Sequence, residues 1–65
     1  MEAKDAVRLV NELVSAEVQI MKELTKHNTP YKKTEQRERH AARELFVALT
    51  GNDPTEQELT DMVNV

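Results

Sequence analysis

Glycine and proline interrupt this chain at two places only, Asn28-Thr29-Pro30 and Gly51-Asn52-Asp53-Pro54. Between those breaks nothing stops a helix, and no segment alternates apolar and polar residues as a half-buried strand would. The expected fold is all-α. An antiparallel helical hairpin spans about 3–27 and 30–50, and a short third helix spans about 54–63. The whole chain, 1–65, is one small domain at most.

Each segment carries its own helix signals. In the first, Ala3, Ala6, Val7, Val10, Leu13, Val14, Ile20, Met21 and Leu24 fall on one side at helical spacing. Leu9, Ala16 and Val18 widen that side to about 200°. The opposite side is polar, with Lys4, Arg8, Glu12, Ser15, Gln19, Lys22 and Lys26. The second segment groups Ala41, Ala42, Leu45, Phe46, Ala48 and Leu49, and Gly51 stands where a left-handed C-cap belongs. Its start is open between Thr29 with Pro30 at the first helical position and Thr34 as N-cap. The third segment begins with Asp53 as cap, Pro54 at the first helical position and Glu56 completing a capping box. Leu59, Met62 and Val63 give it a small apolar edge.

A surface helix that meets one neighbour needs a narrower stripe than 200°. Twelve apolar residues lie between Ala3 and Leu24, more than the later helices can cover. There is no cysteine to staple the fold and only Tyr31 and Phe46 as large rings. Homodimerisation into a helical bundle is the expected remedy. Val7, Val10, Val14, Glu17, Met21 and Leu24 are the expected interface. Glu17 is the anomaly of that set, a carboxylate among apolar residues and expected opposite Ala41 and Ala42. It either pairs at the interface edge and fixes register or contacts a partner protein or ligand, with a carboxylate metal or acid–base site at Glu17 as the weakest alternative. Glu38, one turn before Ala41 and Ala42, is expected to be solvated or salt-bridged.

Charge is unevenly distributed. The net charge is −3, but residues 22–43 carry seven basic and three acidic groups, and residues 44–65 carry five acidic groups and no basic one. On the second helix, Lys33, Arg37, His40 and Arg43 form a basic face suited to an acidic partner surface or, as the weaker alternative, to nucleic acid. That face contains no aromatic for base stacking, and no glycine-rich phosphate loop exists.

Catalysis has little to work with. The sole serine, Ser15, has no serine–histidine–aspartate spacing around it. His27 and His40 stand at the wrong intervals from Glu23 and Glu38 for an inward Glu-x-x-His metal pair, so no metal or other cofactor is expected. The longest apolar run, Leu45–Leu49, is far short of a membrane span, and the acidic, polar start does not suit a secretory leader. A cytoplasmic protein is expected. The stretch from Arg43-Glu44-Leu45 through Leu49-Thr50-Gly51-Asn52-Asp53-Pro54-Thr55-Glu56-Gln57-Glu58-Leu59 resembles the third conserved region of bacterial primary sigma factors. There too a helix ends at glycine and a Pro-Thr-x-x-Glu-Leu helix start follows. The likeness covers about a third of the chain and implies helices near promoter DNA and RNA polymerase. The residues themselves point to a non-enzymatic helical module acting as accessory, inhibitor or regulator of a larger protein. Its size is that of many antitoxin-like or phage-encoded regulators.

Overall fold

The computed structural model describes residues 2–63. Three helices follow in order: α1 (Ala3–His27), α2 (Lys32–Thr50) and α3 (Glu56–Val63), with no strand among the described residues. α1 and α2 form the expected hairpin, and α3 packs on α2 rather than on α1.

Local chemistry sets the helix ends. α1 stops at Asn28, which takes the left-handed conformation (φ 64°) and donates its N–H to the Leu24 carbonyl. Asparagine is one of the few side chains that tolerate this conformation. α2 stops in the same way at Gly51 (φ 78°), whose N–H reaches the Val47 carbonyl at 2.8 Å.

α1 starts at Ala3 as expected, but the other two helix starts differ from the expected ones. α2 begins after Tyr31, so neither Thr29 nor Thr34 is its N-cap. α3 begins two residues later than expected, because the capping box lies at Thr55 and Glu58 instead of Asp53 and Glu56. The Thr55 hydroxyl accepts from the Glu58 N–H at 3.1 Å, and the Glu58 carboxylate accepts from the Thr55 N–H at 2.9 Å. This reciprocal pair satisfies two donors at once and leaves Pro54 buried outside the helix.

The core is narrow. Leu9, Ala16 and Glu23 form the buried line of α1, spaced seven residues apart, and Leu13 and Ile20 are half-buried beside it. α2 answers with Thr34, Ala41 and Ala42. Seven residues back from Glu23 on α1 and seven on from Thr34 on α2 stand Ala16 and Ala41, so small residues line the hairpin seam and let the two backbones approach. Leu59 of α3 is the largest fully buried side chain. Leu45 and Phe46 are half-buried, whereas Ala48 and Leu49, expected on the same packed side, are exposed. No helix among the described residues is long and apolar enough to cross a membrane.

Candidate functional site

The broad apolar side of α1 splits into two lines. One, through Leu9 and Ala16, is spent on α2. The other, about a third of a turn away, carries Val7, Val10, Val14, Val18, Met21 and Leu24, each between 44% and 66% exposed. A surface with one or two such residues is ordinary, but six along one helix are not. With Glu17 included, positions 7, 10, 14, 17, 21 and 24 alternate in steps of three and four, the spacing of a coiled-coil seam. α3 does not cover this line. A cleft of about 360 Å³, lined by Ile20, Pro30, Glu35, Glu38, Arg39 and Val63, lies where α1, α2 and α3 border one another.

Glu17 does not face Ala41 and Ala42 across the hairpin. That place belongs to Ala16, which is fully buried, while Glu17 is half-buried at the border of the open line. The buried line of α1 thus lies one residue from the expected one, in keeping with the higher cost of burying a carboxylate than a methyl group. Glu38 is also half-buried rather than solvated, and no cation lies within ion-pair distance of it among the described residues. Burial, followed by the charges of Glu17 and Glu35, pushes its carboxyl above the ordinary value, against the opposing pull of Arg39. The edge of the open line nearest α2 is therefore acidic.

Most of the basic face of α2 is paired with carboxylates within the chain. Arg37 reaches Glu12 at 3.4 Å and Ser15 at 3.3 Å, and His40 lies 3.0 Å from Glu44. Arg39 and Arg43 both approach Glu56, at 2.7 and 4.0 Å. Of Lys33, Arg37, His40 and Arg43, Lys33 alone has no carboxylate partner among the described residues.

The residue that sequence reasoning missed is Glu23. It is buried, and its carboxylate accepts three hydrogen bonds. The donors are the Tyr31 backbone N–H at 2.7 Å, the Thr34 hydroxyl at 2.8 Å and the Gln19 amide at 3.0 Å. Tyr31 is the N-cap residue of α2 and has no side-chain cap of its own, so α1 supplies the cap from outside the helix. Burial alone would raise the Glu23 carboxyl. The bonds from Gln19, Tyr31 and Thr34, with the nearby His27, outweigh burial and hold it below its ordinary value. The available signal was phase: Glu23 continues the Leu9–Ala16 line at the next seven-residue step.

Among the described residues no three histidine, aspartate or glutamate side chains converge as a metal site would require. No protein-family model matches the chain, and neither a curated protein nor a solved structure matches it. The punctuation around Gly51 and Pro54 that resembles the sigma-factor region stands on those residues alone.

Proposed function

We propose that this chain is a non-enzymatic helical interaction module that pairs with a second copy of itself through α1 and acts on a larger protein as accessory, inhibitor or regulator. The uncovered line of Val7, Val10, Val14, Val18, Met21 and Leu24 carries the reading. Such a line on so small a protein is an interface waiting for a partner. Its coiled-coil spacing suits a helix of the same kind, and a second α1 is the one such helix certain to be present. The valines occupy the N-terminal half of the line, and the larger Met21 and Leu24 the C-terminal half. The seam therefore tapers in size along its length. Glu17 at its border costs stability and is the natural register-setting group of the pair.

Sedimentation equilibrium of the purified chain tests the pairing. A dimer that Val14→Glu converts to a folded monomer supports it. A folded monomer at every accessible concentration overturns it. With the apolar line taken up by the second copy, the larger protein would be met by the basic face of α2, where Lys33 has no carboxylate partner among the described residues. Co-purification of a partner that Lys33→Glu abolishes while the chain stays dimeric would place that partner on the basic face of α2.

A further inference from the structure

The hairpin tip gathers charge that the rest of the molecule does not balance. Between positions 22 and 33 four lysines stand against a single glutamate, while elsewhere five basic residues stand against eleven acidic ones. That glutamate is Glu23, already committed to three hydrogen bonds. Arg37, Arg39, His40 and Arg43 all have carboxylate partners. Lys22, Lys26, Lys32 and Lys33 have none among the described residues.

At the tip, Gln19, Lys22, Glu23, Thr25, Lys26, His27 and Tyr31 line an open cleft of about 470 Å³, with the Glu23 carboxylate turned to its three donors. Tyr31 is 55% exposed, although it is one of only two large aromatic rings in the chain. Its hydroxyl shares a hydrogen bond of 3.0 Å with His27 Nε2, and the two ring centroids lie 5.4 Å apart at a tilt of 37°. The Tyr31 backbone is anchored through Glu23 and its hydroxyl through His27, so both ends of the residue are held at the cleft. An exposed, positioned ring beside unpaired lysines is the combination that stacks a base while neutralising its phosphate.

We propose that the hairpin tip binds a nucleotide unit, with the base against Tyr31 and the phosphate on Lys22 and Lys26, and with Lys32 and Lys33 extending the cationic surface. An acidic peptide would use the lysines but has no need of an exposed ring. A free mononucleotide and a single strand share the chemistry, and the test separates them. The site is independent of pairing through α1.

The chain has one tyrosine and no tryptophan, so its tyrosine fluorescence reports this cleft alone. Titration with adenosine monophosphate, oligothymidylate and polyglutamate at low salt, followed by that emission, decides the matter. The expected result is saturable quenching by a nucleotide probe. Quenching by the oligonucleotide alone assigns the strand, and quenching by both assigns the isolated unit. For the strand, affinity should fall with salt with a log–log slope of about −3, as four lysine contacts require. By fluorescence anisotropy of a labelled oligonucleotide, Tyr31→Leu should weaken binding about 5- to 150-fold, the range for loss of one stacked base. Lys22→Ala with Lys26→Ala should weaken it and flatten the slope, whereas Arg8→Ala should leave it unchanged. Circular dichroism confirms that each variant is folded. Absence of quenching by either nucleotide probe overturns the proposal. So does undiminished binding by Tyr31→Leu, or polyglutamate binding as tightly as the oligonucleotide.

Discussion

At the scale of single residues, two glutamates pull stability in opposite directions. Glu23 has a folded-state carboxyl held below its ordinary value of 4.5, so its contribution is present above that pH. It is lost as pH falls through the folded value. Glu38 has a carboxyl raised above 4.5, so its charged form is a burden at neutral pH that acid relieves. Thermal melts should therefore show Glu38→Gln stabilising the protein at pH 7, with the difference from the parent shrinking as pH falls toward 4.5. Glu23→Gln should destabilise it at pH 7 and remove part of its loss of stability in acid. An unchanged acid limb in Glu23→Gln would mean that the cap does not depend on the charge. Ala16 and Ala42 bear on packing: both are fully buried, and Ala42→Leu should cost about 1–3 kcal/mol in a denaturant titration.

At the scale of elements, the three helices depend on different supports. α1 has packing on one line and an αL cap at Asn28, whereas α2 borrows its N-terminal cap from α1. α3, eight residues long, is too short to persist by propensity and rests on the Thr55–Glu58 box and on Leu59. Thr55→Ala should cost about 1 kcal/mol, seen as faster amide exchange in α3 with little change in α1. Gly51 has open space around its Cα, so Gly51→Ala tests backbone conformation alone, and at φ 78° it should cost about 1 kcal/mol. The extents of α1 and the C-cap at Gly51 were legible because period and punctuation are local properties. The start of α2 was not, because the group that caps it lies eight residues upstream on another helix.

At the scale of the whole molecule, the hairpin plus α3 leaves one side of α1 open. If that side pairs, the melting temperature should rise with protein concentration, and Glu17→Leu should strengthen the concentration dependence. A concentration-independent melt of a folded chain would argue against a second copy on this face. The charge distribution is equally a whole-molecule property. Arginines along α2 are paired with acids from α1 and α3, Arg39 and Arg43 sharing Glu56, while the lysines at the tip have no carboxylate partner among the described residues, so the two basic regions differ in availability.

By itself the sequence determined that the chain is helical, where it turns, and that α1 carries more apolar surface than this chain can cover. Those properties follow from residue order within about two turns. The tertiary structure alone decided which apolar line of α1 is consumed and which stays open. The burial of Ala16, Ala41 and Ala42, and the reach of Glu23 to the start of α2, set the buried line of α1 about one residue from the expected one. That shift moves Glu17 from the seam to the border. A helical period defines a face, but only the partner helix selects its centre, and a shift of one residue turns the helix by about 100°.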